Sequence, residues 1–293
     1  MKSLKRSVAA LLSVSVFAVY CLNRVHAYNE PAGVLLGPCS SAYAEGPTGT
    51  NDDFSNLNVG GRPVPSSGVT SSPATVTFRN TVENTGASDD AFDISIASMP
   101  AGFAAEISTD FGAHYVSLNQ SSSQHVPVSY RASMTFFLRV TAPAGLKLLT
   151  SFDTIVRATS TIDSRVFNET IDRIYTGFVR IAVAWKAIDS TGAHDIKDAP
   201  PGSEIECQVS YTNISSDAGS GNEILTAQNI VISESGRTPP NNWGDTTDHV
   251  VGANDTRGGY ILGDREGSTC LTDTINTLRP GESGLFKFRR RVR

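Results

Sequence analysis

From Thr75 onward the chain alternates apolar and polar residues in short runs separated by turn-forming clusters, and this period of two decides what it can fold into. Val76, Phe78 and Val82 alternate with Thr75, Thr77, Arg79 and Thr81, and Phe92, Ile94 and Ile96 alternate with Asp93, Ser95 and Ala97. Further runs follow at Val126 to Tyr130, Met134 to Val140 and Phe152 to Ala158, with breaks such as Ala142-Pro-Ala-Gly145 between them. Successive side chains of a strand point to opposite faces, so each run buries one face and wets the other. No stretch after residue 27 carries an apolar stripe at helical spacing. The expected fold is all-β, made of antiparallel sandwiches of immunoglobulin type, each about 100 residues.

The second half repeats the scheme. Val179, Ile181, Val183 and Trp185 alternate, Pro200-Pro-Gly202 turns, and Ile205, Cys207, Val209 and Tyr211 alternate again before Thr212-Asn213. Ile230 and Ile232 mark another strand, Arg279-Pro-Gly-Glu282 turns, and a closing strand runs from Leu285 to Val292. Between them a stretch rich in Gly, Asn and Asp, residues 235–267, reads as a long loop. A length of 293 residues fits two domains at roughly 150 residues each. The expected division is a signal peptide over 1–27, a loosely structured, flexible lead-in with one strand over 28–68, and sandwiches over 69–176 and 177–293.

The N-terminal reading rests on Lys2, Lys5 and Arg6, an uncharged apolar run from Val8 to Tyr20, and the small-residue cleavage site Val25-His-Ala27. That run is too short to span a bilayer. Removing residues 1–27 takes away four cations and no acid, moving the formal charge from −5 to −9. An acidic chain with 18% charged residues is not a polybasic nucleic-acid binder, and no apolar run of spanning length follows Ala27. Export, to the extracellular space or cell surface, is the expected localisation.

Outside the cytosol thiols pair. Cys207 and Cys270 share the second half and are expected to bridge, closing a loop of about 60 residues worth roughly 4 kcal/mol. Cys39 is then left as a free thiol or an intermolecular link. No C-x-x-C is present and the histidines are isolated, so zinc spacing is absent.

Three groups of residues are candidate sites. Asp89, Asp90, Asp245 and Asp248, with Asp52, Asp53 and Asp255, sit in turns and offer oxygens to calcium without an ordered calcium-loop spacing; solvated turn carboxylates are the favoured explanation, since turns require Asp and Asn anyway. Trp243 follows Pro239-Pro-Asn-Asn242 in a loop, and with Phe137, which is out of phase with Phe136, and Tyr260 it makes a candidate ligand-stacking set; Trp185 is in phase with the core. The basic end places Lys287, Arg289, Arg291 and Arg293 outward, either to dock on an acidic partner or to guard an edge strand. No nucleophile elbow, zinc-protease motif, phosphate loop or dinucleotide fingerprint occurs, so the chain is expected to be non-catalytic and to need no cofactor.

Thr75-Val-Thr-Phe-Arg-Asn-Thr-Val-Glu-Asn-Thr-Gly86, with Asp90-Ala-Phe-Asp-Ile-Ser-Ile96, Met99-Pro-Ala-Gly-Phe103 and Val140-Thr-Ala-Pro-Ala-Gly145, resembles the Ig-like domain associated with bacterial alpha-galactosidases and many surface proteins. Pro201-Gly-Ser-Glu-Ile-Glu-Cys-Gln-Val-Ser-Tyr-Thr-Asn213 and Leu278-Arg-Pro-Gly-Glu-Ser-Gly-Leu-Phe286 resemble a repeat domain of unknown function in bacterial cell-surface and S-layer-associated proteins. Together these cover roughly residues 70–293. The resemblance implies a structural or adhesive module outside the cell, acting as a rigid spacer toward envelope or matrix components, polysaccharide among them. Two alternatives stand beside it: a carbohydrate-binding accessory module, and a self-associating filament subunit that adds a strand from its N-terminal segment to the next molecule.

Overall fold

The computed structural model describes residues 31–38, 53–57, 68–189, 192–195, 199–215, 225–238 and 242–293. The expected signal peptide, Cys39 and Asp52 lie outside these residues. The chain divides into two compact units, one of Met1–Leu146, Ser151–Ile174 and Ala218–Glu223, the other of Lys147–Thr150, Tyr175–Asp217 and Ile224–Arg293.

In the first unit the strands are β1 (Val34–Pro38), β2 (Asp53–Asn56), β3 (Ala74–Asn84), β4 (Asp90–Ser98), β5 (Ala104–Ser108), β6 (Val116–Leu118), β7 (Ser123–Val128), β8 (Ser133–Ala142), β9 (Ser151–Ser160) and β10 (Phe167–Tyr175). They form two five-stranded sheets, ordered β1-β3-β8-β5-β6 and β2-β10-β9-β4-β7. The alternation of the sequence is the alternation of burial: Phe78, Val82, Phe92, Ile94, Ile96, Phe136, Leu138, Val140, Val156 and Ala158 fill one core. Two pieces of the segment read as a loose lead-in are strands of this unit, since β1 pairs with β3 and β2 borders β10. Val34 and Leu36 on β1 supply apolar surface at alternate positions, which is why the strand is held.

The second unit holds β11 (Val179–Asp189), β12 (Gly192–Asp195), β13 (Glu204–Asn213), β14 (Ala227–Ser235), the single turn α1 (Trp243–Thr246), β15 (Thr247–Asp255), β16 (Tyr260–Leu262), β17 (Cys270–Leu278) and β18 (Ser283–Val292). Its sheets are ordered β12-β11-β13-β18-β15 and β14-β17-β16. Its core gathers Cys207, Val209, Tyr211, Ile232, Trp243, Leu271, Ile275, Leu278, Phe286 and Phe288. The stretch expected to be one long loop, 235–267, contains β15 and β16. Its glycine and asparagine belong in part to a register break in β15 between Val250 and Asn254, where Gly252 takes a φ of 126°, a conformation that suits glycine.

The two units share a construction. Asn84 ends β3, donates its side-chain N–H groups to the carbonyls of Ser88 (2.9 Å) and Val128 (3.0 Å), and accepts from the Gly86 N–H (3.0 Å). Asn213 ends β13, donates to the carbonyls of Leu225 (2.7 Å) and Leu278 (3.0 Å), and accepts from the Ser215 N–H (3.0 Å). Their own backbone N–H groups donate to Ala132 and Glu282, at 3.0 and 2.9 Å, in the turns that open β8 and β18. Both asparagines are fully buried, and each ties the end of one sheet to a strand of the other. The match equates β1 with β11, β3 with β13, β4 with β14, β7 with β17 and β8 with β18.

Truncating either asparagine strands two buried carbonyls and a backbone N–H. Asn84→Ala and Asn213→Ala should each lower unfolding free energy by about 2–4 kcal/mol in urea titrations; a loss within about 0.5 kcal/mol of surface controls would show that the clamps carry little.

Candidate functional site

Aromatic, basic and acidic side chains gather on the second unit around β13 and β18. The β18 sequence sends Phe286, Phe288 and Arg290 to one face and Lys287, Arg289 and Arg291 to the other. Arg290 is therefore inside the sandwich, 1% exposed. Its guanidinium donates from Nε to the Thr247 hydroxyl (2.9 Å), from Nη1 to the Ser268 carbonyl (2.5 Å) and from Nη2 to the Thr247 carbonyl (2.8 Å). It also lies 4.5 Å over the Trp243 ring, a contact favoured by the ring's negative face. Burial pulls its pKa down to about 10, so the group is still charged at neutral pH.

Trp243 was expected to stand in a loop and offer its ring to a ligand. It is 7% exposed and packs 5.6 Å from Phe288 and 6.4 Å from Trp185. The ring closes the end of the core, because α1 turns the chain back between the sheets directly after Asn242. Phe137 is half-buried on β8 of the first unit, whereas Tyr260, 68% exposed, is on β16 of the second. The three expected stacking residues thus divide between two units and a core.

Cys207 and Cys270 are free thiols, so the expected bridge is absent. Cys207 faces inward beside Phe288 and Trp185 in register. Cys270 precedes the inward Leu271 on the opposite sheet, so strand alternation turns it out to solvent. Burial, and after it the charges of Glu234 and Glu206, pushes the Cys207 thiol up to about 12, which leaves no nucleophilic thiolate at neutral pH.

On the outer face the basic strand meets acids. Arg289 donates to Glu206 (3.0 Å), Arg291 to Glu204 (2.9 Å) and Arg293 to Asp248 (2.8 Å). These residues do not guard an edge as expected, because β18 lies between β13 and β15. A recess of about 210 Å³ opens beside the β15 register break, lined among others by Glu206, Asn254, Lys287 and Arg289. Glu206 there accepts from both Gln208 (2.7 Å) and Arg289, and these bonds hold it ionised against its burial. The recess therefore sets one acid, Glu206, among two cations, Lys287 and Arg289.

The acids proposed for calcium are occupied by protein donors. Asp89 accepts from the Tyr130 N–H (2.7 Å), and Asp90 from the Ala91 N–H (2.7 Å), Ser160 (2.5 Å) and Thr161 (3.0 Å). Asp248 takes Arg293, and Asp245 lies 3.4 Å from Arg237. Among the described residues no group of three or more His, Cys, Asp or Glu is arranged to hold a metal ion.

One acidic pair went unread in the sequence. Asp273 on β17 is fully buried and neither carboxyl oxygen meets a hydrogen-bond donor. It faces Asp255 at the end of β15, whose charge acts on it across the sandwich. Asp255 already accepts from the Tyr211 hydroxyl (2.7 Å) and from the N–H groups of Arg257 (2.7 Å) and Gly259 (3.2 Å). Buried without a donor, Asp273 favours its protonated form. Burial first and the Asp255 charge second push Asp273 from its ordinary 3.8 up to about 7, and Gly259 leaves no room for a Cβ against it. In the first unit a buried bond from Asn80 to Asp172 (2.8 Å) joins the two sheets.

Two outcomes follow. Because the folded state binds this proton more tightly than the unfolded state, the contribution of Asp273 is complete below about pH 4 and is lost as pH rises through about 7. Asp273→Asn, which cannot ionise, should gain stability relative to wild type between pH 5 and pH 8 in denaturation curves; a pH-independent difference would contradict the raised Asp273 pKa. Thiol labelling of the native chain should modify Cys270 and spare Cys207 until unfolding, with Cys270→Ser identifying the site; protection of both would restore the bridge.

No protein-family model matches the chain, so the family resemblance of residues 70–293 finds no counterpart there. No curated protein matches its sequence. A solved structure named BspA_C_mut is similar over 89% of this chain and 90% of its own, at 5% identity and a TM-score of 0.39.

Proposed function

We propose that the chain is an exported, non-catalytic structural or adhesive module of the cell surface or extracellular matrix, in which filled sandwiches act as stiff spacers and loops and edges make the contacts. One observation carries the reading: each unit gathers a buried core between its sheets, and the ends of the sheets are clamped by Asn84 and Asn213. Such a unit resists deformation and offers its rim to partners. The resemblance of residues 70–293 to Ig-like surface domains and the signal-like N-terminus point the same way. No helix among the described residues is long and apolar enough to cross a membrane.

The carbohydrate-binding alternative loses its main support with Trp243 in the core. The filament alternative asks the N-terminal segment to pair with another molecule, but residues 34–38 and 53–56 are already strands of the first unit.

Protease shaving of intact source cells, followed by immunoblotting, tests the location. Loss of the full-length band before lysis is expected; a band protected until lysis would overturn the surface reading.

A further inference from the structure

The equivalence of the two units exposes one difference. In the first unit β4 is bordered by β9, and β10 follows beyond it. These strands lie across from β1, where Leu36, opposite Val82 in register, is fully buried with Val156, Ala158 and Ile174 in one core. In the second unit β14 takes the place of β4, but its far edge has no neighbour among the described residues. The strand equivalent to β1 is β11, and Ile181 stands opposite Tyr211 at the register position of Leu36. Ile181 is 48% exposed and Val183 is 50% exposed, although both are on the inward face. The same chain therefore builds one sandwich with this corner filled and a second with it open.

The open corner offers both halves of a strand-acceptor site. β14 presents an unpaired edge of backbone N–H and C=O groups, and β11 presents an apolar floor. An edge guarded by short length, a proline or a register break resists association: β6 and β16 have three residues, β7 contains Pro127, and β15 is broken at Gly252. β14 has its irregularity at Asn229, with φ of 52°, and runs regularly from Ile230 to Ser235 beyond it. Ile181 and Val183 on the floor are spaced two residues apart, the period of a strand laid across them.

We propose that the edge of β14 and the inward face of β11 form an acceptor site for an extended segment of a partner protein, added antiparallel to β14 with small or β-branched apolar residues at every second position. The first unit supplies the chemistry of the occupant. There β9 runs antiparallel to β4 and turns Thr154, Val156 and Ala158 into the core, so the partner strand carries residues of that size and phase. Main-chain hydrogen bonds to β14 supply affinity, and the alternating apolar contacts with Ile181 and Val183 supply register and selectivity. This adds a partner-binding site to the spacer reading and stands whether or not that reading holds.

The test uses the full chain and a labelled peptide with the β9 sequence, Ser151 to Ser160, titrated by fluorescence anisotropy, with light scattering on the chain alone. Saturable binding is expected, weakened about tenfold or more by Val156→Lys in the peptide and by Val183→Lys in the chain, each burying a charge in place of an apolar side chain. Ile181→Ser provides a milder acceptor variant, and circular dichroism confirms that both chains fold. Absence of saturable binding up to millimolar peptide, or binding indifferent to both acceptor variants, overturns the site. A dimer of the unliganded chain that Val183→Lys dissociates would overturn the assignment by making a second copy the occupant.

Discussion

A buried asparagine at the end of an interior strand of each sandwich is the constraint on which the rest of the structure depends. Its side chain satisfies carbonyls that would otherwise be buried without donors, and its position forces the following loop to pass to the opposite sheet. With Asn84 and Asn213 in place, β3 and β13 are locked in phase with their neighbours. The inward set is then fixed, since a slip of one residue would turn every side chain to the other face. The polar pin deeper in the first unit, Asn80 with Asp172, acts on the same principle between the sheets.

Electrostatics follow from that phase. On β18 the alternation that buries Phe286 and Phe288 also buries Arg290, whose guanidinium donates to two carbonyls and a hydroxyl and lies over the face of Trp243. The remaining basic residues of the strand face outward against Glu204, Glu206 and Asp248. Three cations of the basic C-terminal run, Arg289, Arg291 and Arg293, are thus paired with acids of the neighbouring strands. Ion pairs of this kind are worth little individually; their effect is to fix which strands lie beside β18.

Much of the fold was legible because period two is a strong signal. The strands around Phe78, Ile94, Phe136, Val209 and Phe286 read directly from it, as did the all-β sandwich class. What was misread depends on contacts far apart in sequence. Pro239-Pro-Asn-Asn242 does mark a break, but nothing local says that Trp243 turns back onto Phe288. The run 235–267 hid β15 because its glycine sits in a register break that an interrupted strand tolerates. Cys207 and Cys270 share a half of the chain yet face opposite ways, which emerges only once Leu271, Asp273 and Ile275 are known to point inward. Arg290 was readable, being in phase with Phe288. Asp273 was not, since its partner lies across the sandwich on another sheet.

The central claim is that the second unit is a sandwich of the first unit's plan with one corner left open. Hydrogen–deuterium exchange on the full chain tests it most directly, because the compared strands occupy equivalent places in one molecule. The account predicts that amides of β14 and of β11 from Val179 to Trp185 exchange markedly faster than those of their counterparts β4 and β1, while β13 and β18 match β3 and β8. Equal protection of β11 with β1 and of β14 with β4 would contradict it.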